Sequence, residues 1–153
     1  MRKVDIYTDG SYSRVDRTGG YGAVIIYKGS NNNGTRDEIR GSFKGTTTNN
    51  RMELEAVIVS LAFLSKPSRV QIYSDSKYVV DTVNKGWLNE WKSNNWIKKN
   101  KKPALNIDMW ERLLPLLELH KVKFIWIKGH SGNEENERSD ELAKSSILAV
   151  RKE

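Results

Sequence analysis

Four acidic residues in this sequence stand out by their positions relative to predicted strands and helices. They are Asp9 at the end of the first predicted strand, Glu53 in the first turn of the first helix, Asp75 after a short apolar strand, and Asp140 within the last helix. Carboxylates that lie close together repel one another and either gain protons or are joined by cations. The chain has no cysteine, and a set of oxygen ligands favours Mg²⁺, with Mn²⁺ as a substitute.

Each acid also has an ordinary structural explanation. Asp9 precedes Gly10 and can form a turn, and Asp75 lies between two serines, where it can cap a helix. Asn50 followed three residues later by Glu53 has the spacing of a capping box. Asp140 belongs to a helix rich in acids and can be solvated. A shared role for all four therefore depends on whether the fold brings them together.

The hydrophobic pattern predicts a single α/β domain, residues 1–153, with three antiparallel strands followed by parallel ones. Strands are predicted at 2–11, 19–29, 37–45, 69–76 and 122–129, with a hairpin loop at 30–35. Helices are predicted at 49–64, 76–86, 105–121 and 134–150, the third kinked or interrupted at Pro115. This order predicts a five-stranded mixed sheet with helices on both faces.

In such a sheet the ends of strands 2–11 and 69–76 can be neighbours at the centre, and the first helix can reach over the same end. The acids of these elements would then meet. Two divalent ions about 3.5–4 Å apart can activate a water molecule and stabilise a leaving oxygen in an attack on phosphorus. The sequence thus predicts a site for phosphoryl chemistry.

A basic segment, residues 85–103, points to a polyanionic partner. The chain has a net charge of +7, and this segment carries six lysines and one acid, interleaved with tryptophans. Lysines around exposed aromatic rings suit a nucleic-acid strand. The alternative is a solvated lysine-rich helix whose tryptophans anchor it to the core, and the two interpretations can hold for different tryptophans.

Composition excludes several classes of protein. Without cysteine there is no disulfide framework, thiol catalysis or thiolate metal site. No window approaches the roughly 18 apolar residues of a membrane span, and Met1 leads directly into a polar strand without an apolar signal segment. We expect a cytoplasmic protein with no membrane partner.

Five stretches occur in the order and spacing of one known family. They are YTDGS (7–11), TTNNRMELEAV (47–57), IYSDSKYV (72–79), IKGHSG (127–132) and NERSDELA (136–143). The chain resembles the type 1 ribonuclease H family as it occurs in bacteria and phages. The resemblance implies the ribonuclease H-like fold, which matches the predicted order of strands and helices. It also implies an endonuclease that cuts the RNA strand of RNA–DNA hybrids with divalent metal, two ions with substrate bound, leaving a 3′-hydroxyl and a 5′-phosphate.

The resemblance further implies roles for individual residues. Asp9, Glu53, Asp75 and Asp140 match the family's catalytic metal ligands, and His130 matches a mobile histidine that helps proton transfer or product release. The basic segment matches a protrusion that holds the DNA strand. The implied substrate contacts are Gly10, Thr48, Asn49, Asn50, Lys77, Lys85, Trp87, Trp91, Lys98 and Lys99.

Two departures from the family pattern concern substrate recognition. The turn 12–18 replaces a Gly/Asn/Pro-rich turn, and its Arg14 and Arg17 can add phosphate contacts. Lys77 replaces a common glutamine.

Two alternatives stay open: a non-catalytic module that binds hybrids or single strands, and a related carboxylate nuclease with another substrate. We expect a monomer.

Overall fold

The computed structural model describes residues 1–29 and 35–152, and its sheet has five strands. These are β1 (Arg2–Ser13), β2 (Thr18–Lys28), β3 (Thr35–Lys44), β4 (Ser68–Ser74) and β5 (Lys121–Trp126). Their order across the sheet is β3-β2-β1-β4-β5. The pairs β1–β2 and β2–β3 are antiparallel, whereas β1–β4 and β4–β5 are parallel. The predicted mixed sheet is confirmed, and its central strand β1 lies beside β4 from Arg2 to Tyr7.

The helices connect and cover these strands. They are α1 (Asn49–Phe63), α2 (Lys77–Asn84), α3 (Trp87–Ser93), α4 (Ile107–Leu119) and α5 (Glu134–Arg151). Helix α1 buries its apolar residues Leu54, Val57, Ile58 and Leu61, which recur at spacings of three and four as one helical face requires. Within the described residues, no helix combines the length and the apolar character that crossing a membrane needs.

Adjacent glycines in β2 show that helices lie on both faces of the sheet. A Cβ added at Gly19 would meet the Met52 side chain of α1, whereas one added at Gly20 would meet the Ala143 carbonyl of α5. Successive strand residues point to opposite faces, so α1 and α5 pack on opposite sides. The absence of a side chain at these positions lets both helices approach the strand closely.

The main hydrophobic core lies between the sheet and the helices α1, α2 and α4. Its fully buried side chains include Ile6, Ile25, Leu54, Leu61, Ile72, Trp110 and Leu113. Because β1 and β4 both contribute side chains to this core, the strand ends that follow it are held in a fixed position.

Some local predictions are wrong in detail. Of the two outcomes predicted at Pro115, the interruption is wrong, because helix α4 continues through it. This proline is on the exposed side of the helix, where water can bind the carbonyl group that loses its partner. The basic segment is not one helix, since α3 ends at Ser93 and the chain continues through turns with one isolated bridge between Ile97 and Pro103. The predicted hairpin loop at 30–35 lies almost wholly outside the described residues.

Candidate active site

Three of the four predicted acids meet beside the central strands β1 and β4, near the end of β4. Ligand atoms of Asp9, Glu53 and Asp75 all lie within 4.8 Å of one another. We call these three residues the acidic cluster. They line an open cleft of about 380 Å³ whose other walls come from the start of α1 and the start of α2. Glu53 and Asp75 follow Asp9 by 44 and 66 positions in the sequence. They are nevertheless its neighbours in space, as the predicted topology requires.

Gly10 joins Asp9 to Glu53. Its backbone N–H donates to Asp9 Oδ1 at 2.9 Å and to Glu53 Oε1 at 2.5 Å. A Cβ at Gly10 would collide with the backbone of Met52 and Glu53, so only glycine allows β1 to approach α1 this closely. The predicted Asn50–Glu53 capping box is wrong: Thr48 caps α1 and accepts from Arg51 N at 3.1 Å, which leaves Glu53 free to face Asp9.

Asp75 is held by the turn between β4 and α2. The cap of α2 is Ser76, whose hydroxyl accepts from Val79 N at 3.3 Å, so the interpretation of Asp75 as the cap is wrong. Trp126 at the end of β5 donates from Nε1 to the Asp75 carbonyl at 3.1 Å. The backbone of Asp75 is thus fixed from the neighbouring strand while its carboxylate remains in the cleft.

Asp140 lies near the acidic cluster but outside its 4.8 Å limit. It is on α5, where its Oδ2 pairs with Lys144 Nζ at 2.9 Å one helical turn later. Its charge still reaches the cluster, since it contributes to raising the pKa of both Asp9 and Asp75. The structure therefore places Asp140 beside the site and balances it with a lysine.

The pKa values of the cluster show how strongly its charges conflict. Burial, and then the charges of Asp75 and Asp140, raise the pKa of Asp9 to about 7. Burial and the charge of Asp9 raise the pKa of Glu53 well above its usual value. Burial followed by the charge of Asp140 raises the pKa of Asp75. The cluster holds protons near neutral pH, and a cation that replaces them would relieve the repulsion.

The cluster fits a hard divalent cation. Its donors are carboxylate oxygens from β1, from α1 and from the turn after β4, the cleft is open to solvent, and the chain offers no thiolate. Mg²⁺ binds through a few carboxylates and keeps several waters, which an open cleft permits. Asp9, Glu53 and Asp75 can supply these ligands, with Asp140 as a fourth acid nearby.

His130 lies on the exposed loop between β5 and α5. Its backbone has a φ of 53°, a left-handed conformation that is uncommon for residues other than glycine. The neighbouring Gly129 passes so close to Asp75 that a Cβ there would lie 2.6 Å from Asp75 Oδ2. His130 contributes to lowering the pKa of Asp75, which places the imidazole within electrostatic reach of the cluster.

The start of α1 presents three of the predicted substrate contacts. Thr48, Asn49 and Asn50 are exposed, and Asn49 Oδ1 accepts from Tyr12 N at 2.7 Å. Thr48 and Asn49 also line a second cleft of about 580 Å³ together with Arg14 and Arg17. The altered turn 12–18 thus brings its arginines to the same surface as the predicted contacts.

Lys77 is on the rim of the cleft but its ammonium group has a partner. It lies 4.9 Å from the centre of the Trp126 ring, an arrangement that attracts a cation to the ring face. Trp126 therefore contacts both Lys77 and the backbone of Asp75.

The basic segment mixes exposed and anchored residues. Trp87 is 37% exposed and lies under Lys85 Nζ, 5.3 Å from the ring centre. Trp91, by contrast, is partly buried and packs against the core, as the anchoring interpretation expected for some tryptophans. Lys99 is exposed, with Glu90 3.9 Å away, and Lys98 is half-buried.

Sequence reasoning missed two residues of this site. Lys144, four residues after Asp140, has the spacing of a helical ion pair, so its contact was visible in the sequence. Trp126 ends β5 without any such signal, because its bond to Asp75 depends on the register between β4 and β5.

The sheet order and the acidic cluster define an α/β domain with carboxylates placed so that they can hold a metal ion. The family model for RNase H matches residues 1–147. A ribonuclease H of Desulforamulus reducens is 50% identical over 143 residues, 94% of this chain and 86% of that protein. A ribonuclease HI of Synechocystis is 49% identical over 140 residues, covering 92% and 84% of the two chains.

A solved structure gives the same result for the fold. The crystal structure of LC9-RNase H1, a type 1 RNase H with the type 2 active-site motif, has a TM-score of 0.83 at 28% identity and covers 97% of this chain and 74% of that one. This chain belongs to the ribonuclease H family and is an enzyme of that family.

Proposed function

We propose that the protein hydrolyses the RNA strand of RNA–DNA hybrids as an endonuclease that depends on Mg²⁺, with Mn²⁺ as a substitute. The observation that carries the proposal is the acidic cluster, in which Asp9, Glu53 and Asp75 lie within 4.8 Å of one another in an open cleft. Family membership supports the substrate class, because the relatives are ribonucleases H.

The proposed reaction is hydrolysis of a phosphodiester. The oxygen of a water molecule bonds to phosphorus, and the bond from phosphorus to the 3′-oxygen breaks, leaving a 3′-hydroxyl and a 5′-phosphate. Bound at the cluster, two divalent ions supply activation of water and stabilisation of the leaving oxygen. Asp9, Glu53, Asp75 and Asp140 are the proposed ligands.

The chain's own groups orient the site and move protons. The Gly10 N–H holds Asp9 and Glu53 side by side, and Trp126 holds the backbone of Asp75. His130 is exposed on its loop beside the cluster, where its imidazole can pass protons between the site and solvent. We assign it to proton transfer or product release.

The proposed grip on the hybrid has two parts. Thr48, Asn49 and Asn50, with the Gly10 backbone, contact the hybrid near the cut, and recognition of RNA there depends on 2′-hydroxyls and groove shape. Residues 85–103 form a protrusion that holds the DNA strand through Lys85, Trp87, Lys98 and Lys99. We infer that Trp91, which packs against the core, anchors this protrusion to the rest of the domain. All these groups come from one chain, which suits a monomer.

Digestion of a labelled hybrid tests the proposal. We expect internal cuts in the RNA strand with Mg²⁺ or Mn²⁺, none with EDTA, and little attack on duplex DNA of the same sequence. Binding without any cleavage would favour a non-catalytic module instead. Equal cleavage of duplex DNA would favour a related nuclease with another substrate.

A further inference from the structure

A row of cations crosses the sheet at the end opposite to the acidic cluster. Lys28 of β2 is paired with Lys3 of β1, Lys3 with Arg69 of β4, and Arg69 with Lys121 of β5. Residues paired in this way point to the same face of the sheet. Four positive side chains therefore stand side by side across about 14 Å, since neighbouring strands are about 4.8 Å apart.

These side chains are exposed and scarcely neutralised. Within residues 1–29 and 35–152, the one ion pair in the row is Lys28 Nζ with Asp5 Oδ2 at 2.8 Å. Lys123 lies on the same face two residues beyond Lys121, and it is also exposed. We call Lys3, Lys28, Arg69, Lys121 and Lys123 the basic face. Like charges directly opposite one another destabilise a sheet, and a bound anion would relieve this cost.

The basic face lines the cleft of about 610 Å³ that is far from the acidic cluster. Its apolar lining residues are Val4, Val70 and Val122, and their side chains belong to the core or pack against it. A protein partner usually inserts a large apolar or aromatic anchor into a pocket, whereas the described apolar residues of this lining are three valines that already pack in or against the core. Exposed ammonium and guanidinium groups alone suit phosphates.

The position of the face relates it to the cleft that holds the acidic cluster. Lys3 and Asp9 point to the same side of β1, six residues apart, which is about 20 Å along the strand. Between them the rings of Tyr7 and Tyr73 stack with centres 4.5 Å apart. A nucleic-acid strand that rises about 3.4 Å per nucleotide covers this distance with about six nucleotides.

We propose that the basic face binds the phosphates of a single-stranded DNA tail that continues from the hybrid in the active-site cleft, an inference that rests on the proposed function. The enzyme then has two contact regions: the cleft with residues 85–103 for the hybrid, and the basic face for the single strand beside it. Substrates with a junction between hybrid and single strand bind more tightly than blunt hybrids.

The test compares binding in EDTA, where no cleavage occurs. The double variant Arg69→Gln/Lys121→Gln removes two of the four cations in the row, those on β4 and β5. The matched control Arg40→Gln/Lys152→Gln removes two exposed charges elsewhere, Arg40 being on the opposite edge strand β3. Each protein is titrated with a blunt hybrid and with the same hybrid carrying a DNA tail of about 12 nucleotides, twice the span needed. Binding is measured separately with the tail at each end of the DNA strand, and the tail that increases the affinity more is used in the comparison.

We expect the tail to steepen the salt dependence of binding by about 0.7 in log–log slope for each phosphate contact. In the double variant the slope increase caused by the tail should be smaller by about 1.4, and in the control it should be unchanged. All three proteins should bind the blunt hybrid equally. An increment that is absent in the unmodified protein, or unchanged in the double variant, overturns the proposal.

Two further measurements distinguish a protein partner from DNA and binding from catalysis. If a polyglutamate peptide binds the unmodified protein but not the double variant, while single-stranded DNA binds both equally, the face serves an acidic protein and the proposal is wrong. If the tail increment is present but the hybrid digestion with Mg²⁺ shows no cleavage, the proposed catalytic function fails while the basic face remains a nucleic-acid site.

Discussion

The acidic cluster and the basic segment place opposite charges by opposite structural means. The cluster gathers three carboxylates from β1, from α1 and from the turn after β4, with Asp9 and Glu53 buried. The basic segment carries its lysines on a short helix and turns, mostly exposed to solvent. One region depends on ångström-scale convergence, and the other on the number of charges it presents.

The difference follows from what each region is proposed to do. Carboxylates that hold a cation must be pre-positioned despite their repulsion, so the rigid sheet and the Gly10 contacts bear that cost. Binding a phosphate backbone needs no fixed geometry, because counterion release rewards any nearby positive charge. The ion pairs in the segment, such as Lys99–Glu90 at 3.9 Å, are exposed and contribute little to stability. Substitutions in the acidic cluster should therefore impair catalysis, and substitutions in the basic segment should impair binding.

The largest expected effect is on catalysis. Asp75→Asn keeps the shape of the side chain but removes a proposed metal ligand, and a loss of several kcal/mol of transition-state stabilisation corresponds to a rate about 10³-fold lower. Single-turnover cleavage of a labelled hybrid measures it, with binding expected to persist. The control Glu111→Gln changes an exposed acid of α4 and should cleave normally. Full activity of Asp75→Asn would remove Asp75 from the mechanism.

The second effect is on stability without metal. The pKa of Asp9 is raised to about 7 in the folded protein, against about 3.9 when unfolded. Folding therefore favours the protonated form, so this stability is present below about pH 4 and is lost as the pH rises through about 7. Asp9→Asn should raise the free energy of unfolding in EDTA at about pH 8 by about 2–4 kcal/mol.

Thermal unfolding at several pH values, with EDTA present, checks this. The Asn side chain retains an oxygen that can accept from Gly10 N, and the difference from the unmodified protein should vanish near about pH 4. If the variant were instead less stable than the unmodified protein in alkaline solution, repulsion within the cluster would not be what limits the stability of the metal-free protein.

The third effect is on binding. Replacing Lys98, Lys99, Lys101 and Lys102 by Ala should weaken hybrid binding and flatten its salt dependence by about 0.9 for each phosphate that is no longer neutralised. The maximal rate with saturating hybrid should change little, because none of these residues lines the cleft of the acidic cluster. Fluorescence anisotropy at several salt concentrations gives the slope. An unaltered slope would contradict the proposal that residues 85–103 hold the DNA strand.

The smallest effect concerns His130 on the loop between β5 and α5. His130→Ala should slow turnover by about 10- to 100-fold without abolishing it, at the lower end of what a positioned proton-transfer group supplies. An unchanged rate would make His130 an ordinary residue of a surface turn.

The sequence was sufficient for the sheet and for three acids of the cluster, because strand periodicity and order determine which strand ends meet. It was insufficient where a contact depends on register or on capping. Thr48 rather than Asn50 caps α1, and Trp126 reaches the Asp75 carbonyl only in the observed alignment of β4 and β5. Likewise, the cation row of the basic face is invisible until four strands are paired.

His120 illustrates the same limit. Its place directly after α4 is one where a charged imidazole would favour the helix dipole, but the structure gives this histidine another role. The side chain is buried, its Nδ1 accepts from Ser68 N at 3.0 Å, and burial lowers its pKa, so the imidazole is neutral. The hydrogen bond that orients this imidazole comes from a residue 52 positions away in the sequence.

Calorimetric titration with Mg²⁺ and Mn²⁺ near neutral pH tests the acidic cluster most directly. The unmodified protein should bind the ion and release protons, seen as a heat that varies with the buffer, because the acids hold protons before binding. Asp75→Asn and Glu53→Gln should lose most of this binding, and Glu111→Gln should keep it. Equal binding by all four proteins, or none by the unmodified one, would contradict a metal site at Asp9, Glu53 and Asp75.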